Sequence, residues 1–142
     1  MTEFNIREAV EPDKATLRAL IRQENLDPTS LNWRRFLVVE IDGQIAGIGQ
    51  VKEYPGCQEL GSLVTLPEYR GRGIATALIS ALEARAGRPL YLLCQDKMER
   101  YYNRFGYQTI PWREAPAPLK VKLAASWLFR LVGVRVLVMC KR

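Results

Sequence analysis

The stretch Pro67–Ile79, PEYRGRGIATALI, sets Arg70, Gly71, Arg72 and Gly73 directly in front of an apolar helical pattern. A helix start offers unpaired backbone N–H groups and a partial positive charge. Glycines ahead of it let the main chain come close to a bound group, because no Cβ stands in the way. Arginines add charge-assisted donors, so the corner suits an anion and a phosphate above all. A tight turn with solvated arginines uses the same four residues, and this stretch alone fits both. The Walker pattern G-x-x-x-x-G-K-S/T is absent. The dinucleotide fingerprint G-x-G-x-x-G is met only at Gly71 and Gly73, with Thr76 in the third slot. The corner also follows a fourth strand, whereas a Rossmann unit opens with its glycine turn.

Several elements must position this corner. Phe4–Arg7 reads as a first strand. A helix from Pro12 to about Glu24 turns Ala15, Leu17, Leu20 and Ile21 inward, with Asp13 favourably placed at its positive end. Asn25–Arg35 reads as a loop or broken helix. Phe36–Ile41, a turn at Asp42-Gly43, Gln44–Lys52, a turn at Pro55-Gly56 and Gln58–Leu66 give an antiparallel meander. Ile74, Leu78 and Leu82 mark one helix face to about Ala86, with Gly87 as C-cap. Pro89–Cys94 is nearly all apolar, as a central strand should be. Lys97–Arg104 is a short helix stopped by Gly106, and Tyr107–Ile110 is a strand. Leu119, Leu123, Trp127 and Leu131 then recur as one face of a late helix near 118–131, ended by Gly133. Val134–Cys140 closes the order β-α-β-β-β-α-β-α-β-α-β, a mixed α/β sheet expected to form one domain over 1–142.

The 142 residues are 48% hydrophobic and 25% charged, enough to build a core. Lys plus Arg number 21 against 15 Asp plus Glu, a formal charge of +6 that favours anionic partners without choosing among them. The absence of histidine excludes histidine metal sites and histidine bases. Cys57, Cys94 and Cys140 are widely spaced, odd in number and form no C-x-x-C, so neither a zinc site nor a disulfide framework is expected and a reducing cytosol fits. The opening MTEFNIREAVEPD lacks the apolar core of a signal peptide. Leu123–Cys140 is the one membrane-like run, but Arg130, Arg135 and Gly133 interrupt it, so a spanning helix is rejected.

At this point the sequence resembles the GNAT acyl-CoA N-acyltransferases. Arg70-Gly71-Arg72-Gly73-Ile74-Ala75 fits their signature Q/R-x-x-G-x-G/A, and LVTLPEY before it is the usual lead-in. A second segment, YYNRFGY (Tyr101–Tyr107), is similar to the family's Y-x-x-x-G-F/Y, and the element order agrees along nearly the whole chain. The resemblance implies a mostly antiparallel sheet of about seven strands with flanking helices, splayed between the fourth and fifth strands. It implies that acetyl-CoA is the co-substrate, with its diphosphate on the N–H groups of Arg70, Gly71, Arg72, Gly73, Ile74 and Ala75. The pantetheine arm would pair with the backbone of Leu63 and Thr65. Many relatives carry Asn seven residues before the tyrosine; here that slot holds Gln95, with the same donor and acceptor on a longer stem.

Acyl transfer from a thioester to an amine needs a neutral amine, a stabilised oxyanion and a proton for the departing thiolate. It needs no metal and no nucleophilic cysteine. Tyr102 occupies the tyrosine slot and is the expected proton donor, with its neighbour Tyr101 the better core residue. Glu59, eleven residues before Arg70, matches the spacing of the general base in some relatives, although a solvated strand-end glutamate reads the same way. Glu53 is a weaker candidate, and Cys94 is expected to be a buried strand residue. Acceptor choice would come from the first helix, its following loop and the late loop-helix segment. Trp33, Arg34, Arg35, Trp112 and Arg113 could face a carboxylate or phosphate there, or form a solvated face. The late helix carries Lys120, Lys122 and Arg130 beside Trp127, Leu128 and Phe129. It could cap the acceptor cleft, form a dimer face or lie on an anionic membrane, and packing or capping is favoured. A non-catalytic acyl-CoA sensor is the alternative. A nucleic-acid module lacks any aromatic-interleaved basic stripe.

Overall fold

The computed structural model describes residues 3–29 and 31–142; Met1, Thr2 and Ser30, which fall within the leader and loop readings above, lie outside the described residues. Seven strands form: β1 Asn5–Glu8, β2 Phe36–Ile41, β3 Gln44–Tyr54, β4 Cys57–Thr65, β5 Leu90–Gln95, β6 Gln108–Ile110 and β7 Val136–Lys141. The α-helices are α1 Lys14–Gln23, α2 Ile74–Ala84, α3 Glu99–Asn103 and α4 Ala117–Ser126. The sheet runs β1-β2-β3-β4-β5-β7-β6. Its β1–β2, β2–β3, β5–β7 and β6–β7 pairs are antiparallel, and β4 meets β5 in parallel at Glu59↔Tyr91. The expected mixed α/β sheet of seven strands is therefore present. The chain groups into two compact units, 1–52 with 60–86, and 53–59 with 87–142, so β4 passes from one to the other after Glu59.

In the first unit, Leu17, Leu20 and Ile21 of α1 pack on Phe36, Val38, Ile48 and Val64. Ala15, expected on that face, is exposed. Helix α1 starts at Lys14, behind a 3-10 turn at Glu11–Asp13. Asp13 is drawn into this turn by Arg7 of β1, whose guanidinium donates to both Asp13 oxygens at 2.8 and 3.1 Å and to Glu40 at 2.7 Å. The Val10 N–H donates to the same carboxylate at 2.8 Å. Asp13 thus works as a nearly buried ion-pair partner rather than as a dipole-facing surface charge, and Arg7 holds its carboxyl below the usual range. Ile74, Leu78 and Leu82 of α2 are all buried, as their spacing predicts. Gly49 lets that helix settle on β3, because a Cβ there would lie 2.7 Å from Leu63 Cδ2 and 2.8 Å from Leu82 Cδ1.

In the second unit, Leu90 and Leu92 of β5 are buried, and β5 pairs with β7 along its length from Leu90↔Lys141 to Gln95↔Val136. Leu119 of α4, Ala115 and Val138 form a core to which Tyr54, Cys57, Tyr91, Leu93, Ile110 and Leu123 add. The late helix departs from expectation. Leu119 is buried and Leu123 packs beside it, but Trp127 is 64% and Leu131 86% exposed. Trp127 has drifted about 80° from Leu119 in α winding alone, and for Leu131 a change of winding adds to this, since Trp127–Val132 is 3-10 rather than α. At roughly 100° per residue to Trp127 and 120° after it, Leu131 arrives about 200° around the axis from Leu119. Gly133, at φ +81°, ends the segment as the sequence suggests.

Candidate functional site

The glycine-arginine corner is built in the first unit. Strand β4 ends at Thr65, the Leu66 N–H bonds Ala46 O at 2.9 Å, and a 3-10 turn at Pro67–Tyr69 reverses the chain. Gly71 and Gly73 both take φ +79°, and Gly73 is the N-cap of α2 with no side chain to serve as a cap. A Cβ at either glycine would meet nothing within 4 Å, so the left-handed backbone, not crowding, selects glycine. The first backbone bond closing onto the helix is Ala77 N–H to Gly73 O at 3.0 Å. The N–H groups of Ile74, Ala75 and Thr76 therefore belong to the unpaired first turn. Arg70 Nε reaches back to Thr65 O at 3.3 Å, and Arg72 donates to Glu68 O at 3.4 Å with its guanidinium 5.4 Å from the Tyr69 ring centre. Each contact uses one of the five donors of an exposed guanidinium. Leu63 and Thr65 are half-buried, alternating with buried Ser62 and Val64. Ser62 itself sits at φ +53° and accepts from Gln50 Nε2 at 2.9 Å, whereas Gln50 Oε1 is buried with no hydrogen-bond partner among the described residues.

The second unit holds Glu59, Tyr102 and Gln95. Glu59 is 4% exposed, which removes the solvated strand-end reading. Its Oε1 accepts from Tyr54 Oη at 2.8 Å and from Lys122 Nζ at 3.1 Å, and Lys122 also bonds the Tyr54 hydroxyl. Burial raises the Tyr54 phenol, against the pull of Lys122, and raises the Cys57 thiol with help from the Glu59 charge. Tyr102 lies on α3 edge-to-face with Tyr101 at 5.1 Å and with Tyr107 at 6.4 Å. Burial, and secondarily Cys94, pushes its phenol well above the ordinary tyrosine range. Tyr101 and Tyr102 are both half-buried, and the fully enclosed aromatic is Tyr107. Cys94 is half-buried rather than buried, hydrogen-bonds Met139 Sδ at 3.6 Å, and has its thiol raised to about 11 by burial and then by Glu99 and Asp96. Gln95 ends β5, exposed, opposite Val136. Among the described residues no cluster of three His, Cys, Asp or Glu side chains could hold a metal ion.

Of the acceptor-side candidates, Trp33, Arg34 and Arg35 form a 3-10 turn whose Asn32 side chain accepts from the Arg34 N–H at 3.1 Å. Arg34 stacks on Trp33 at 4.5 Å, while Trp112 and Arg113 are exposed in a separate 3-10 turn.

The sequence model of the Acetyltransferase (GNAT) family matches residues 2–107. The chain belongs to the GNAT family. A curated relative, Acetyltransferase ECA0875 of Pectobacterium atrosepticum, is 38% identical over an alignment of 85 residues that covers 53% of this chain and 58% of that protein. Among solved structures, N-acetylglutamate synthase from Neisseria gonorrhoeae, complexed with coenzyme A and N-acetyl-glutamate, superposes with a TM-score of 0.80 at 19% identity. That match covers 100% of this chain but 35% of the synthase. Rv2747 from Mycobacterium tuberculosis, in complex with CoA and NLQ, gives 0.76 at 16% identity, covering 96% of this chain and 98% of that one. These two structures share the GNAT fold with the chain. The chain spans little more than half of the curated relative and about a third of the synthase.

Within the GNAT frame, the structure brings Leu63, Thr65 and the Arg70–Ala75 corner together in one unit, tied by the Arg70–Thr65 bond. Glu59 and Tyr102 occupy different clusters of the other unit. Sequence reasoning missed Tyr54 and the inward turn of Lys122. Tyr54 is five residues from Glu59 and Lys122 sixty-three, and no local pattern marks either as its partner.

Proposed function

We propose that this chain is an acyl-CoA-dependent N-acetyltransferase, moving an acetyl group from acetyl-CoA to a primary amine of a small molecule, peptide or protein. The observation that carries the reading is the pair of left-handed glycines, Gly71 and Gly73, ahead of the open first turn of α2. Two exposed guanidiniums and free helix-start N–H groups fit the diphosphate of coenzyme A in charge and in donor count. Leu63 and Thr65 offer β4 backbone to the pantetheine arm, and Gln95 offers an amide in place of the usual asparagine.

In the reaction, the amine nitrogen bonds the acetyl carbon as the C–S bond breaks, and the thiolate takes up a proton. Tyr102 suits the donor's role because burial keeps its phenol protonated through neutral and mildly alkaline pH. Glu59 is the proposed base for the amine's proton. Both of its hydrogen bonds fall on Oε1, leaving Oε2 as the acceptor. The test combines calorimetry with coenzyme A and thiol release from acetyl-CoA over amino acids, polyamines, aminoglycosides and lysine peptides. Binding, with turnover on one amine class and a loss of about 100-fold or more in Tyr102→Phe at retained affinity, is expected. No coenzyme A binding would overturn the reading. Tight binding without any turnover would make the chain an acyl-CoA sensor.

A further inference from the structure

Independently of that activity, we propose that the segment Trp127–Val132 and the cationic side chains around it dock on the surface of an anionic lipid bilayer. All six residues of this 3-10 segment are exposed, and five are large and apolar: Trp127 64%, Leu128 71%, Phe129 55%, Leu131 86% and Val132 75%. In 3-10 winding, side chains three apart eclipse one another and form three ridges. One ridge is Leu128–Leu131, the second Phe129–Val132. The third is Trp127–Arg130, where the guanidinium lies 5.5 Å from the indole centre. Two ridges are thus wholly apolar and the third ends in a cation, the cross-section of a segment that sinks its apolar side to the acyl boundary and keeps its charge at the headgroups. Trp112, itself 67% exposed, joins Trp127, Arg130 and Lys120 along a groove of about 530 Å³ on the same unit.

Charge selects the occupant. No Asp or Glu follows Glu114, and six of the 21 Lys and Arg residues do, so this last part of the chain carries the whole formal +6 while the first 114 residues sum to zero. Lys122 turns inward to Glu59, but Lys120 and Arg130 line the groove with Trp127, and Arg135 is exposed three residues after Val132. Anionic headgroups complement that field. A second copy of the chain would set like charges against each other across a two-fold contact. Nucleic acid would match the charge but leave Leu128, Leu131 and Val132 in water. No helix of the described residues is long and apolar enough to cross a membrane, so the segment lies on the surface.

The test is co-sedimentation of the chain with phosphatidylcholine vesicles, with and without phosphatidylglycerol, read also by tryptophan emission. Binding to the anionic vesicles alone is expected, with a blue shift and progressive release by salt. Leu128→Ser combined with Leu131→Ser should abolish binding with the circular-dichroism melt unchanged, since both positions are solvent-facing. Arg130→Gln should weaken partitioning about fivefold, the effect of one cation at an anionic surface. Equal binding to neutral vesicles, no binding to either, or retention by the double variant would overturn the proposal. So would a dimer in sedimentation velocity that Leu131→Ser dissolves while vesicles capture nothing.

Discussion

Replacing Lys122 with methionine tests how Glu59 is held. The Glu59 side chain is 6% exposed and that of Lys122 20%, with Nζ 3.1 Å from Oε1. At this separation the attraction is about 5 kcal/mol for an effective dielectric of 20, most of it offset by desolvation. Lys122→Met removes the attraction and leaves the desolvation, so a buried carboxylate keeps only the Tyr54 hydroxyl. Such orphaned charges cost about 3–5 kcal/mol, and water reaching the partly exposed Lys122 position places the expected loss near 3 kcal/mol. For a chain of this size that lowers Tm by about 12 °C. Adding Glu59→Gln removes the orphaned charge while its amide oxygen still accepts from Tyr54. The double variant should then lie only about 1 kcal/mol below the parent. Thermal melts and denaturant titrations of the parent, both singles and the double complete the cycle. A coupling energy of at least about 2 kcal/mol is expected, the excess being the cost of Glu59→Gln alone; singles that add within about 0.5 kcal/mol would refute the cluster as drawn. Turnover of Glu59→Gln supplies a separate readout, because a folded but inactive variant marks the base and a folded, active one marks a structural anchor.

Four further outcomes are expected. Gly73→Ala should cost about 1–2 kcal/mol through backbone strain alone, since its φ is +79° with nothing near the added Cβ, and should weaken coenzyme A binding in calorimetry. Gly49→Ala should cost about as much by the opposite route, overpacking against Leu63 and Leu82, as read in denaturant titrations. Asp13 has a lowered folded pKa, so its contribution is complete above the unfolded value near 3.8 and disappears as pH falls through the folded one. The stability gap between parent and Asp13→Asn should therefore be flat near neutrality, at about 2 kcal/mol, and close below about pH 4. Cys94, with its thiol near 11, should alkylate roughly a hundredfold more slowly than a free cysteine at pH 8, read by mass spectrometry.

Local signals were legible where a short stretch decides its own conformation. The turn at Asp42-Gly43 brackets β2 at Phe36–Ile41 without error, and the spacing of Ile74, Leu78 and Leu82 marks the buried face of α2. The corner at Arg70–Ala75 was readable for the same reason, its glycines being needed by backbone geometry. Contacts between distant residues were not. Arg7 meets Asp13 six and Glu40 thirty-three residues away, and neither spacing is a helical or strand period. The late helix misled because Trp127, Leu128, Phe129, Leu131 and Val132 are apolar on every side. A four-residue spacing picked from such a run carries no facial information, and the switch of winding at Trp127 then rotated the assumed face outward.

Strand β4 gives Cys57–Glu59 to one compact unit and Leu60–Thr65 to the other. During synthesis, every residue of the first unit has been made by residue 86, whereas the second needs the chain as far as its last strand. Glu59 must wait for Lys122, sixty-three residues downstream. At about 5–20 residues per second this is a delay of roughly 3–13 s. Glu59 has no Lys122 to pair with through that interval; a pair that closes only after the folding transition state would, when broken, hasten unfolding and leave the refolding rate almost untouched.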